Sequence, residues 1–219
     1  MNANYSDIKR DLDQKKVLLV AVSKTQSINA ILELYNAGQR DFGENRVQEL
    51  REKQELLPKD ICWHLIGHLQ SNKVKYIAPW ISLIHSVDSL ELLLEINKQA
   101  KKQGRVIPCL FQIYIAREET KFGLSEKELF GILNDSQFGE MQNIRMDGLM
   151  GMASNTDDHE VVKKEFKTLK TLFDQLKMEY FADKPNFEHI SMGMSSDYGI
   201  AIAEGATMVR IGSLLFGPR

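Results

Sequence analysis

Eight short apolar runs, many rich in β-branched residues, alternate along the 219-residue chain with amphipathic stretches of helical period, and few architectures accept such a pattern. The runs fall at 17–23, 39–42, 63–66, 83–85, 107–113, 146–150, 189–191 and 208–211. Strands that follow one another through helices are parallel, because a parallel neighbour requires a crossover connection. Eight such repeats predict an α/β fold in which one closed (β/α)8 barrel of the TIM-barrel kind carries an extra helix before its first strand. Helix signals agree. Asp88 with Glu91 and Ser125 with Glu128 read as capping boxes. Leu90, Leu93, Leu94 and Asn97 fall at helical spacing, as do Val162, Phe166, Leu169, Leu172, Phe173 and Leu176. No repeat, low-complexity tract or Pro/Gly/Ser-rich linker breaks the order, so residues 1–219 are expected to form one domain.

In such a barrel the loops after the strands gather around one cavity. The residues just beyond the runs are Lys24, then Gly43, Glu44 and Asn45, Gly67 and His68, Ser86, Gly151 and Met152, the stretch 192–195, and Gly212 and Ser213. Lys24 closes the run VLLVAVS. An amine emerging there from a buried strand is pushed by desolvation towards the neutral form that attacks carbonyls, although position alone more simply makes it the first solvated residue after a strand. The segment SMGMSSDYGIAIAEG sets Ser195 and Ser196 at the predicted start of a short helix, where amides and hydroxyls favour phosphate. TMVRIGS ends in Gly212 and Ser213, so the loops after strands seven and eight offer donors to one anion. The competing reading gives the glycines to tight turns and the serines to caps. Arg210 shares a face with Gly212, and an inward arginine needs either an acid such as Glu44 or a ligand nitrogen. Asn45 either orients a ligand oxygen or caps the following helix.

Lysine and arginine number 28 against 30 acids, a net charge of −2, and the signs are mixed along the helices, so no face for nucleic acid or an anionic membrane is expected. Cys62 and Cys109 lie far apart in apolar surroundings and read as small core residues. No run reaches membrane-spanning length and the first residues carry no signal or transit pattern, which points to the cytoplasm. His64 and His68 are four apart, but WHLIGH reads as a strand running into a glycine turn, which separates them; His64 is expected to be structural and no metal is predicted. Dinucleotide, P-loop and nucleophile-elbow patterns are missing.

Taken in order, AVSKTQ, FGENRVQEL, WHLIGHLQSNK, HSVDS, TKFGL and SMGMSSDYGIAIAEGATMVRIGSLLFG resemble the pyridoxal phosphate homeostasis protein family over nearly the whole chain. The resemblance implies a barrel like the N-terminal domain of alanine racemase, with pyridoxal 5'-phosphate held as a Schiff base on Lys24. It implies that Ser195, Gly212 and Ser213 hold the phosphate, that Arg210 faces the pyridine nitrogen and that Asn45 lies beside the ring. A role in vitamin B6 homeostasis follows from it, with other B6 vitamers as ligands and transient contact with cofactor-requiring apoenzymes. The sequence departs from the family pattern in the fifth strand, where Gln112, Ile113 and Tyr114 replace a stretch usually holding asparagine. Tyr114 is either a bulkier filler or a hydroxyl near the cofactor.

A permanently cationic Arg210 discourages protonation of a ring nitrogen and weakens the electron sink. Two-base racemisation also needs a group facing Lys24, for which Tyr114 and Tyr198 are the only stand-ins. A monomeric carrier is therefore expected rather than an enzyme, with a racemase or lyase using the same site as the alternative.

Overall fold

The computed structural model describes residues 3–116 and 122–217; Thr120 and Lys121 of the TKFGL block lie outside them. Eight strands, β1 (Leu18–Val22), β2 (Asp41–Glu44), β3 (Cys62–Leu65), β4 (Leu83–Val87), β5 (Ile107–Ile113), β6 (Ile144–Gly151), β7 (His189–Ser191) and β8 (Met208–Ile211), close into a barrel in chain order. Every neighbouring pair is parallel, and β8 returns to β1 through the pairs from Leu18 with Met208 to Ala21 with Ile211. The helices α1 (Ala3–Gln14), α2 (Ile28–Asn36), α3 (Val47–Leu56), α4 (Leu90–Lys102), α5 (Glu126–Leu133), α6 (Ser136–Gly139), α7 (His159–Glu179), α8 (Tyr198–Ala203) and α9 (Ser213–Phe216) surround it, with a 3₁₀ helix (Ser71–Tyr76) between β3 and β4.

Strand alternation divides each run between two cores. Val20, Leu83, Leu110, Met150 and Met208 form a small cluster inside the barrel. The intervening residues, among them Leu19, Ala21, Phe42, Ile84, Phe111, Leu149, Val209 and Ile211, join the helices in a large outer core. Other inward positions, Asp41, His64, His85, Ser191 and Arg210, are polar and form the buried chain described below. Between β5 and β6 the register shifts at Leu110 and Gly148. Gly148 has φ +149°, and a Cβ there would lie 1.8 Å from the His189 carbonyl oxygen, so only glycine fits this bulge.

All eight predicted runs are strands, but the second is displaced. Gln39 precedes β2 because its buried amide is a tie: Nε2 donates to the Leu19 and Asp41 carbonyls at 2.8 and 2.7 Å, and Oε1 accepts from the Tyr5 hydroxyl of α1 at 3.3 Å. The Ser125–Glu128 capping box is present. The Asp88–Glu91 box is not: Ser89 caps α4 by accepting from the Leu92 amide, while the Asp88 carboxylate turns to His68 at 3.1 Å. The buried face of α4 is accordingly Leu92, Leu93, Ile96, Gln99 and Ala100, rotated from the predicted stripe, whereas the α7 stripe is buried as predicted.

Candidate functional site

A cleft of about 540 Å³ opens at the carboxyl ends of the strands, lined by Val22, Lys24, Asn45, Ile66, Met152, Met194, Ser195, Ser196, Arg210, Gly212, Ser213 and Leu214. All six predicted site residues are in this lining, from β1, β2, β7 and β8.

Lys24 is half-buried in a turn that follows β1 and is closed by the Gln26 amide on the Ser23 carbonyl at 3.0 Å. The next residue, Thr25, has φ +64°; a β-branched side chain there is strained by about 1–3 kcal/mol and needs the surroundings to hold it. Asn45 follows β2 into the cleft. The capping alternative fails, because Arg46 occupies the N-cap of α3 and no side chain caps that helix. Gly67, after β3, lets two loops touch: a Cβ at this position would lie 2.4 Å from the Asn45 carbonyl oxygen and 2.8 Å from its Cα.

Ser195 and Ser196 do not start a helix. Helix α8 begins at Tyr198 with Asp197 at its N-cap, and the Asp197 carboxylate accepts from the Met194 amide at 2.5 Å, so the serines stay in the loop. The Ser195 hydroxyl instead accepts from the Gly212 amide at 3.3 Å, tying the β7 loop to the β8 loop. Gly212 is the N-cap of α9 and Ser213 its first residue. A Cβ on Gly212 would stand 3.3 Å from the Val22 carbonyl oxygen, so the glycine keeps this corner of the cleft open.

Arg210 projects from β8 into the barrel and is 3% exposed. Its Nη1 donates to the carbonyl and hydroxyl of Ser191, both at 2.7 Å, and Nη2 donates to the Gly151 carbonyl at 3.0 Å. Burial lowers its pKa to about 10, opposed by the Asp197 charge, which leaves it cationic at neutral pH. Glu44 is not its partner, because that carboxylate faces outward and pairs with Lys53 at 2.7 Å.

Below Arg210 runs a chain that sequence reasoning resolved only in part. The Ser191 hydroxyl lies 3.0 Å from His85 Nδ1, His85 Nε2 lies 2.9 Å from His64 Nδ1, and His64 Nε2 lies 3.1 Å from the Asp41 carboxylate. With both rings neutral, the two ends fix every proton. An ionised carboxylate only accepts and a guanidinium only donates. His64 therefore donates through Nε2 and accepts at Nδ1, His85 donates through Nε2 and accepts at Nδ1, and Ser191 donates to His85 while accepting from Arg210. Burial, with the nearby Arg210 cation, holds the His85 pKa well below its ordinary value and keeps the ring neutral. His64 is structural, as expected. Ser191 and His85 were missed as site residues, although their alternation with outward-facing Ile190 and Ile84 gave the signal.

Tyr114 lines a separate cavity with Ile115, Lys164, Thr168 and Leu169 beside α7, so it is not part of the cleft wall. Cys109 is buried and Cys62 partly so, both free. Among the described residues no three His, Cys, Asp or Glu side chains form a metal-ligand group, and no helix is long and apolar enough to cross a membrane.

The donor set fits a small aromatic phosphate ester. An amine stands at one side, hydroxyls and the β8-loop corner at another, and a buried cation below, in a volume usual for small-molecule sites.

The family model described as alanine racemase, N-terminal domain, matches residues 1–219, which gives the class of barrel. The pyridoxal phosphate homeostasis protein of Aquifex aeolicus is 43% identical over 202 residues, covering 92% of this chain and 86% of that protein. Its Escherichia coli namesake is 36% identical over 209 residues, covering 94% and 87%. The chain belongs to the pyridoxal phosphate homeostasis protein family. PipY of Synechococcus elongatus PCC7942, solved with PLP bound, superimposes with a TM-score of 0.87 at 36% identity over 98% of both chains. Alanine racemase from Bartonella henselae shares the fold alone, with a TM-score of 0.73 at 20% identity, covering 99% of this chain and 59% of that one.

Proposed function

We propose that the protein holds pyridoxal 5'-phosphate in this cleft, as a reversible Schiff base on Lys24, and serves vitamin B6 homeostasis as a binder and carrier. The observation that carries the reading is the convergence of Lys24, Ser195, Arg210, Gly212 and Ser213 on one cleft; the PLP-bound relative of the same fold supports it. The cofactor supplies an aldehyde that condenses reversibly with a primary amine. Lys24 provides the amine. Ser195, Gly212 and Ser213 take the phosphate, and Asn45 flanks the ring. Arg210, anchored through both terminal nitrogens, presents a fixed positive charge to the ring nitrogen and keeps a proton off it.

The carrier reading, against a racemase or lyase, is supported by the composition of the cleft wall. Lys24 and Arg210 are the only ionisable side chains in its lining among the described residues, and neither Tyr114 nor Tyr198 belongs to it, so the second acid/base of a two-base reaction has no candidate there. We take the protein to act as a one-domain monomer in the cytoplasm, to accept other B6 vitamers and to meet apoenzymes transiently.

Mass spectrometry after borohydride reduction tests the central claim. A pyridoxyl-phosphate adduct is expected on the peptide containing Lys24 and not in Lys24→Ala; no adduct, or one scattered over surface lysines, would sink the proposal. Turnover of enantiopure alanine or serine by the holoprotein, lost in Lys24→Ala, would replace the carrier with an enzyme. A stable dimer in light scattering would overturn the monomer.

A further inference from the structure

On the outer side of the barrel wall, opposite the cleft, α3 buries a lysine between two carboxylates. Lys53 is 5% exposed. Its ammonium group uses all three protons, donating to Glu44 Oε1 at 2.7 Å, to Glu49 Oε1 at 2.7 Å and to the Ser23 carbonyl at 2.6 Å. The same carboxylate oxygens carry a second set of bonds. Glu44 Oε1 accepts from the Ser23 hydroxyl at 2.6 Å, and Glu49 Oε1 accepts from the Thr25 amide at 2.5 Å. Ser23 and Thr25 are the chain neighbours of Lys24, and Glu44 is the chain neighbour of Asn45. The cluster therefore grips the residues on both sides of the amine and the one preceding the ring-flanking amide, without touching the cleft.

From these contacts we infer that Lys53, Glu44 and Glu49 are positioning residues, which hold the turn at 23–26 in the one conformation that aims Lys24 at the aldehyde. The inference rests on the Schiff-base reading of Lys24.

Two features separate this from ordinary helix docking. Apolar residues of similar size usually dock a helix as well as a buried ion cluster or better, and this cluster leaves Glu44 Oε2 with no hydrogen-bond partner. Thr25 sits at φ +64°, where the chain does not remain unless held. Glu49 holds it by the amide, and Lys53 holds the carbonyl that opens the same turn.

The step being positioned is a condensation. The Lys24 nitrogen bonds to the aldehyde carbon, and the aldehyde oxygen leaves as water with both protons of the neutral amine. Its rate depends on where the nitrogen stands, whereas the phosphate subsite on the β7 and β8 loops does not.

That difference defines the experiment. Glu49→Ala and Lys53→Met are compared with the unaltered protein for the rate of Lys24 adduct formation with pyridoxal 5'-phosphate, read by absorbance and borohydride trapping. In parallel, calorimetry gives the affinity for pyridoxamine 5'-phosphate, which keeps the ring and phosphate but bears an amine where the aldehyde would be. An ångström of misplacement costs up to about 100-fold in rate, so adduct formation should slow by about tenfold or more while pyridoxamine 5'-phosphate binding shifts by less than about threefold. Should Lys53→Met fail to fold, Glu49→Ala decides, because Glu49 is only partly buried. An unchanged adduct rate in Glu49→Ala, or an equal loss of both readouts, overturns the inference while leaving the cofactor reading standing. No Lys24 adduct in the unaltered protein would overturn both.

Discussion

Replacing Ser191 with alanine cuts the buried chain at its centre. The Ser191 hydroxyl accepts from the Arg210 guanidinium at 2.7 Å and donates to His85 Nδ1 at 3.0 Å. A hydrogen bond to a charged group contributes about 1.5–3 kcal/mol, and a buried acceptor left without a donor costs about 1–3 kcal/mol. Arg210 Nη1 keeps the Ser191 carbonyl at 2.7 Å, which favours the low end of the first figure. A loss of about 3 kcal/mol results, lowering the melting temperature by about 6–12 °C in a chain of this size. Urea unfolding of the apoprotein measures it, free of any cofactor contribution. The directional chain adds a sharper expectation: with His85→Leu already in place, Ser191→Ala should cost about 1–3 kcal/mol less than it does alone, because its partner is gone. A single-variant loss below about 1 kcal/mol, or strict additivity in the double variant, would refute the buried hydrogen-bonded chain from Asp41 through His64, His85 and Ser191 to Arg210.

Acid should destabilise the protein through two histidines. The His85 and His189 pKa values are both lowered by burial from an ordinary 6.5, so the unfolded chain takes up protons first as the pH falls. Their contribution is complete above the ordinary value and declines below it, by up to about 1.4 kcal/mol per pH unit for each ring; urea midpoints that stay flat from neutral pH to pH ~5 contradict this. Gly67→Ala forces a Cβ against the backbone of Asn45, and fluorescence titration should show affinity for pyridoxal 5'-phosphate reduced by about tenfold or more; an unchanged affinity would remove Asn45 from the site. Ser195→Ala breaks the tie from Ser195 Oγ to the Gly212 amide, so inorganic phosphate binding, followed by calorimetry, should weaken while global stability falls by only about 1 kcal/mol; equal phosphate binding would count against that subsite.

How much of this was legible follows from the range of each interaction. The barrel could be read because β-branched alternation and helical period are local, repeated signals, and eight repeats leave little room for another closure. Lys24, Asn45, Ser195, Arg210, Gly212 and Ser213 could be picked out because the fold fixes where strand ends meet, so a position in sequence became a position in the cleft. The errors share one origin, a polar side chain with two possible partners. Asp88 matched the local capping pattern, yet its carboxylate found His68 across the mouth, and Ser89 took over the cap. Ser195 and Ser196 matched a helix start, but the Asp197 carboxylate took the Met194 amide and delayed α8 to Tyr198. Glu44 was a reasonable partner for Arg210 until β2 turned it outward to a lysine nine residues along the chain. Spacing ranks only near neighbours, whereas a buried charge is satisfied by whichever group the tertiary fold brings within about 3 Å. The cluster around Lys53 shows the same limit: nothing in QELREK marks its lysine as buried, because the contacts that hold it lie on Ser23 and Glu44, and only closure of β2 against β1 brings those two together.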